Sequence, residues 1–128
     1  MEIVAALFID NIEFRRDPPG GPTKIDITGA YFSIRIDAYP TTLTPHLVVL
    51  LRAENEAGRR GNLDVRFVRA GTEDEVARNT SAVTIAPPGN FFYQLVRPEL
   101  TFDAPGGIEA HCEIAETGSK VVVPLTAL

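Results

Sequence analysis

The chain has 128 residues, of which 45% are hydrophobic and 23% charged, and its formal net charge at pH 7 is −5. A chain of this length buries about two thirds of the surface that its unfolded form exposes, which is enough for a core without metal or disulfide support. Its 17 acidic residues outnumber its 12 basic ones, so it lacks the basic surface with which proteins bind nucleic acids. We expect one globular domain, residues 1–128, with no nucleic-acid partner.

The N-terminal segment and the cysteine content bear on the compartment. Residues 1–10 lack the basic start of a signal peptide. The longest strongly apolar run, residues 47–51, is far shorter than the roughly 20 residues that span a bilayer. Cys112 is the only cysteine and has no partner for an internal disulfide. These features predict a cytoplasmic protein that does not insert into a membrane.

The first part of the chain reads as β-strands separated by turns. Residues 2–9 are apolar on both faces, which predicts a strand covered on both sides. Residues 11–16 alternate between apolar and polar and lead into a loop at 17–22 that contains three prolines and two glycines. Gly29 interrupts the strand-like segment 24–37 and predicts a bend between two strands.

The rest of the chain follows the same pattern. Pro98 interrupts one strand-like run because proline cannot donate to a ladder, and the best helical candidate, residues 53–60, is short and polar. The further predicted strands are 46–54, 62–70, 80–86, 91–102, 107–116 and 121–128. In 62–70 and 107–116 the residues alternate, which predicts one inward face starting at Leu63 and Ile108 and one outward face. Recurrent turns between short strands predict an all-β antiparallel two-sheet sandwich of eight or nine strands, immunoglobulin-like or jelly-roll-like.

Four stretches of the chain carry a family resemblance: ALFIDNIEFR at 6–15, DITGAYFSI at 26–34, YPTTLTPHLVVLLRAE at 39–54 and FDAPGGIEAHCEIAETGSKVVVPL at 102–125. The last contains the turn and core signals Phe102, Pro105, Gly106, Val123, Pro124 and Leu125. With these the chain resembles a bacterial family of small uncharacterised proteins, a domain of unknown function with a β-sandwich fold. Gly107 and Ile108 stand where that family often has an aromatic residue. The resemblance implies a fold and no activity.

Few residues are placed to carry chemistry. His111 and Cys112 are neighbours on a predicted strand, so their side chains point to opposite faces and cannot share a metal ion. None of the three serines has the surroundings of a nucleophile, and nothing supports a Cys112–His46 pair. We therefore expect no enzyme, and no catalytic, cofactor-binding or metal-binding residue.

Two charged regions read as solvated surface. The turn formed by Glu73, Asp74 and Glu75 could gather oxygen ligands for calcium, but it lacks the alternating spacing that wraps a loop around the ion. Five arginines interleave with acids, which favours cross-strand ion pairs over an anion site. The arginines are Arg52, Arg59, Arg60, Arg66 and Arg69, and the acids Glu54, Glu56 and Asp64.

Phe91, Phe92 and Tyr93 form the one dense aromatic group. On a strand Phe92 faces away from the other two, so one side belongs to the core and the other is a candidate interaction face. The two-faced apolar strands 2–9 and 46–54 also need cover that a second subunit would supply. We expect a non-catalytic structural or protein-interaction module that forms a homo-oligomer or binds a protein partner.

A small-molecule-binding domain is the alternative. Its pocket would lie between the sheets near Tyr31, Tyr39 and Tyr93, because tyrosine combines an apolar body with a polar tip. Ordinary sandwich cores use tyrosine in the same way.

Overall fold

Twelve strands and one short 3-10 helix, Ala57–Arg59, form the secondary structure of residues 1–16 and 18–128, the part of the chain that the computed structural model describes. No α-helix occurs in this part of the chain. The strands are β1 (Glu2–Ile9), β2 (Asn11–Arg16), β3 (Thr23–Thr28), β4 (Ser33–Ile34), β5 (Thr41–Leu43), β6 (His46–Arg52), β7 (Arg60–Arg69), β8 (Glu75–Thr84), β9 (Phe91–Val96), β10 (Leu100–Phe102), β11 (Gly106–Ile114) and β12 (Lys120–Ala127).

These strands form four sheets. The large sheet has the order β4-β12-β11-β7-β8, the small sheet has the order β1-β6-β9, and β2-β3 and β10-β5 form two-stranded sheets. All neighbouring strands are antiparallel except β12 and β4, which are parallel. The all-β, antiparallel prediction is therefore confirmed.

The predicted count of eight or nine strands in two sheets is wrong. Two of the additional strands are β5 and β10, which pair with each other. β5 lies in the proline-rich linker after Tyr39, and β10 follows the break at Pro98. The hairpin of β2 and β3 pairs only within itself among the described residues and forms a sheet of its own. Asp17, the first residue of the predicted loop 17–22, lies outside the described residues.

The core lies between the large and the small sheet. Both contribute to one cluster of buried residues, in which Phe8 comes from the small sheet and Phe67 from the large one. The alternation predicted for β7 and β11 is confirmed, because the inward positions of both strands are fully buried. These residues are Leu63, Val65, Phe67, Ile108, Ala110, Cys112 and Ile114. Val68 departs from it, since it lies among the outward positions and is buried nonetheless.

The central position of β6 accounts for its apolar sequence. It lies between β1 and β9, and Leu47, Val49 and Leu51 face the core. On its opposite face Val48 is buried as well, as is Ile9 of β1, although neither belongs to the core cluster. At these two positions one chain therefore covers both faces of the sheet without a second subunit.

Gly29 produces the bend predicted for segment 24–37. β3 ends at Thr28, and Gly29 has a φ of +68°, in the left-handed region that favours glycine. The N–H of Asp10 donates to the carbonyl oxygens of Thr28 at 3.1 Å and Gly29 at 3.0 Å, which fixes the turn against the end of β1.

We expect Gly29→Ala to lower the free energy of unfolding by about 1–2 kcal/mol, because a left-handed conformation costs that much for a residue with a Cβ. The added Cβ would also collide with the carboxylate of Asp10, so this side chain must move. Gly89→Ala is the control, since Gly89 has neither a positive φ nor an atom within 4 Å of its Cβ position. Urea denaturation measures both, and equal stability of the two variants contradicts the assignment.

Candidate functional site

Three aromatic side chains from β2 and β9 are in contact at one edge of the small sheet. The ring centroid of Tyr93 lies 5.8 Å from that of Phe14 and 5.2 Å from that of Phe92. These distances fall within the range of favourable ring contacts. Together with their neighbour Phe91, these three residues are termed the aromatic cluster.

The register of β9 agrees with the prediction that Phe92 faces away from its neighbours, because Phe92 lies opposite Leu51 on the core face and Tyr93 lies opposite Leu50 on the other face. Their rings nevertheless contact each other. Neighbouring side chains of a strand leave it toward opposite faces, so rings that follow this rule do not meet. β9 is the last strand of the small sheet and has no neighbour on one side in the described part of the chain. The two rings can therefore turn toward each other along this open edge.

The aromatic cluster exposes much of its apolar surface. The exposed fractions are 59% for Phe14, 46% for Phe91 and 43% for Phe92, while Tyr93 is half-buried between them. Complete burial of one phenylalanine is worth about 1.5–3 kcal/mol. Contiguous exposed apolar residues on a small domain mark a contact surface.

One hydrogen bond at the start of β9 shows which of its backbone groups bond to β6, here called the hydrogen-bond phase of β9. The N–H of Ala53 donates to the carbonyl oxygen of Asn90 at 2.8 Å, and these residues are opposite in the register of β6 and β9. In an antiparallel ladder hydrogen-bonded pairs alternate with pairs that are not bonded. The N–H and C=O groups of Phe91, Tyr93 and Leu95 therefore point away from β6, toward the open edge.

Phe14 is the member of the site that sequence reasoning missed. The alternation of 11–16 places Phe14 on one side of β2, but it contains no information about which sheet that side meets. The one available signal is the presence of a phenylalanine in a short, mostly polar segment. An isolated two-stranded sheet cannot bury such a side chain by itself, so Phe14 has to contact another part of the protein.

The two histidines and the cysteine lie at different places in the fold. Cys112 is buried in the core at 1% exposure, whereas His111 lies on the outer face with Nε2 3.4 Å from Oε1 of Glu109. Their opposite orientation confirms the prediction. His46 lies on β6, opposite Ile9 in the small sheet. Burial raises the pKa of the Cys112 thiol to about 12, which suppresses the reactive thiolate.

We expect native Cys112 to resist thiol-reactive disulfides at neutral pH and to react fully in guanidinium chloride. Its sulfur is buried and its raised pKa leaves almost no thiolate at that pH. Thr80→Cys, at an exposed position, is the positive control and should add one fast-reacting thiol. Rapid reaction of the unmodified native protein contradicts this burial.

Two of the three carboxylates of the acidic turn at 73–75 face arginines. Oδ2 of Asp74 accepts a hydrogen bond from Nε of Arg69 at 3.0 Å, and Oε1 of Glu75 lies 3.5 Å from Nη1 of Arg78. Within residues 1–16 and 18–128, no group of three or more His, Cys, Asp or Glu residues is arranged to hold a metal ion.

The prediction of cross-strand ion pairs is confirmed for Arg52 of β6, which donates to Glu2 of β1 through Nε at 2.8 Å. Arg59 instead forms a local pair, donating at 2.9 Å to Glu56, three residues earlier in the chain. Asp64 accepts two hydrogen bonds from Arg78, which lower the pKa of this carboxyl. Each of these contacts pairs opposite charges on the surface.

Two shallow depressions flank Arg66 and His111 on the outer face of the large sheet. One has a volume of about 50 Å³ and extends toward Lys120, and the other, with a volume of about 520 Å³, extends toward Thr72 and Glu73. Neither is lined by Tyr31, Tyr39 or Tyr93, which would line the pocket of the alternative hypothesis.

Each of these tyrosines has a contact of its own. The ring centroid of Tyr31 lies 6.4 Å from that of Phe8, and burial followed by the charge of Asp10 raises the pKa of Tyr31. The hydroxyl of Tyr39 donates to the carbonyl oxygen of Leu128 at 3.0 Å. Tyr93 belongs to the aromatic cluster.

In the described residues, no helix has the length and apolar character needed to cross a membrane.

Comparison of the chain with protein-family models, with curated proteins and with solved structures finds no match. The geometry of the molecule itself is therefore the basis of the functional argument.

Proposed function

We propose that this protein is a non-catalytic, cytoplasmic interaction module that self-associates through the aromatic cluster. The observation that supports the proposal is the exposure of Phe14 and Phe92, which contact the half-buried Tyr93, and of their chain neighbour Phe91. Exposed aromatic groups of this kind provide the anchors of protein interfaces, because their burial contributes most of the binding free energy.

The composition of β9 favours a second copy as the partner. Residues 91–96, FFYQLV, carry no charge, so two such strands can approach without repulsion between like charges. A patch that meets itself across a two-fold axis forms an isologous interface, the commonest interface of homo-oligomers. The ion pair of Arg15 and Asp26 on the β2–β3 hairpin provides a polar border.

Sedimentation velocity across nanomolar to millimolar concentration tests this proposal. We expect the wild-type protein to shift from monomer to dimer as its concentration rises. Phe14→Ser and Phe92→Ser should each weaken the dimer at least tenfold, since tenfold corresponds to about 1.4 kcal/mol and a buried phenylalanine contributes more.

Val122→Ser is the matched control. Val122 is 51% exposed, close to the exposure of the phenylalanines, but it lies on β12 of the large sheet. This variant should associate as the wild type does. A wild type that stays monomeric throughout, or a Val122→Ser variant that weakens the dimer as strongly as Phe92→Ser, contradicts the proposal.

A further inference from the structure

We propose that two copies associate by antiparallel addition of β9 to β9, with the two-fold axis at Tyr93. This inference rests on the proposed self-association and adds the element, the register and the bonds through which it occurs. The product is one continuous six-stranded sheet with the order β1-β6-β9-β9-β6-β1.

The open edge of β9 supplies the hydrogen bonds once the rings of Phe92 and Tyr93, which meet at this edge, turn back to the two faces of the sheet. The N–H and C=O groups of Phe91, Tyr93 and Leu95 point away from β6, and none has a backbone partner in the described part of the chain. A row of such unpaired groups is a template for another strand. Natural edge strands are protected by charges, prolines or bulges, and β9 has none of these between its first and last residues.

The edge of β8, the last strand of the large sheet, offers less. The bond from the N–H of Ile85 to the carbonyl oxygen of Arg59, at 2.7 Å, fixes its phase in the same way. The residues that then point outward include Arg78, Thr80 and Thr84, whose side chains are polar. A strand added there would bury little apolar surface, whereas one added to β9 would cover part of the aromatic cluster.

The phase of β9 also restricts the register of the pair. Residues whose N–H and C=O groups point to the open edge must face residues of the same kind in the other copy. The two-fold axis therefore lies where one residue faces the same residue of the other copy, and not midway between two successive residues. With the axis at Tyr93, Phe91 of each copy faces Leu95 of the other, and all three N–H and all three C=O groups of both copies are bonded. An axis at a neighbouring residue places Phe91 or Leu95 opposite a residue outside β9.

The side chains match in this register. Phe91 meets Leu95, and Phe92 meets Gln94, so every pair along β9 has at least one apolar member and none has two charges. Phe14 packs on Tyr93 within each copy, and the axis at Tyr93 brings the two packed pairs together. This self-complementarity favours a second copy over an unrelated peptide.

Single-cysteine variants test the register by disulfide trapping. Residues that face each other in a hydrogen-bonded antiparallel pair have Cα atoms about 5.5 Å apart, within the range that a disulfide spans. Tyr93→Cys should therefore form an intermolecular disulfide under mild oxidation. Native Cys112 is buried and does not compete.

Matched single-cysteine variants test the alternative registers of the β9 pair and the alternative edge at β8. Phe92→Cys and Gln94→Cys report an axis displaced by one residue, and Thr80→Cys reports an interface at β8. Because Tyr93→Cys removes a ring of the aromatic cluster, the double variant Phe91→Cys/Leu95→Cys repeats the test with Tyr93 in place. We expect disulfide dimers from Tyr93→Cys and from the double variant, and at most a tenth of that yield from the other three.

The outcomes separate this inference from the proposed function. Preferential crosslinking of Phe92→Cys, Gln94→Cys or Thr80→Cys overturns the assigned register or edge. A wild-type dimer in sedimentation without any crosslink from Tyr93→Cys or the double variant overturns strand addition and leaves self-association intact. A wild-type chain that stays monomeric at millimolar concentration overturns both.

Discussion

Replacing Phe67 by alanine is expected to lower the free energy of unfolding by about 3–5 kcal/mol, the range for removing a buried phenylalanine. Phe67 is fully buried on β7, the strand between β11 and β8 in the large sheet. The substitution removes apolar contacts and leaves a cavity that neighbouring strands, fixed by their ladders, fill only in part. Urea denaturation of the isolated variant measures the loss.

Val122→Ala is the control for this substitution. Its side chain is half exposed on the outer face of the same sheet, so the expected change stays within about 0.5 kcal/mol. A Phe67→Ala variant as stable as Val122→Ala would mean that the core does not lie between the large and small sheets.

A second large effect is expected for proline in β9, and it depends on which residue is replaced. Gln94 faces Val49 in a hydrogen-bonded pair, so Gln94→Pro removes a ladder bond and leaves the buried carbonyl of Val49 unpaired. We expect a loss of about 3 kcal/mol from the unpaired carbonyl together with the disturbed strand. Thermal unfolding followed by circular dichroism measures it.

Leu95→Pro is the matched variant one residue further along. The N–H of Leu95 points to the open edge, where proline is tolerated. We expect this monomer to lose less than half as much stability as Gln94→Pro, with its cost set by the half-buried leucine side chain. The reverse order of stability would mean that the hydrogen-bond phase of β9 is assigned wrongly.

Local patterns in the sequence were sufficient to predict the strands of the core. The period-two alternation of 107–116 and 62–70 predicts the inner faces of β11 and β7 because each strand has one face on the core and one in solvent. The uninterrupted apolar run at 47–51 identifies the central strand, and Gly29 and Pro98 identify breaks through backbone chemistry alone.

Elements defined by distant partners could not be predicted in this way. Residues 75–79 are too polar to read as a strand, yet they extend β8 because β7 supplies a ladder beside them. β5 forms between two prolines only because β10 pairs with it. Strand pairing over such sequence distances leaves no mark in the local composition.

The candidate site was predicted in part for the same reason. The three neighbours on β9 stand out by composition, but their contact with Phe14 depends on how the β2–β3 hairpin folds against the small sheet. The turn of Phe92 toward Tyr93 depends on β9 being an edge, which follows from the strand order and not from the sequence of β9.

Hydrogen–deuterium exchange of individual β9 amides, measured from micromolar to millimolar protein concentration, tests the central claim most directly. In a dilute monomer the amides of Tyr93 and Leu95 should exchange rapidly, whereas those of Gln94 and Val96 are protected by β6. As the concentration rises, the amides of Tyr93 and Leu95 should become protected together with the appearance of the dimer. Rapid exchange of these two amides at every concentration would contradict the account.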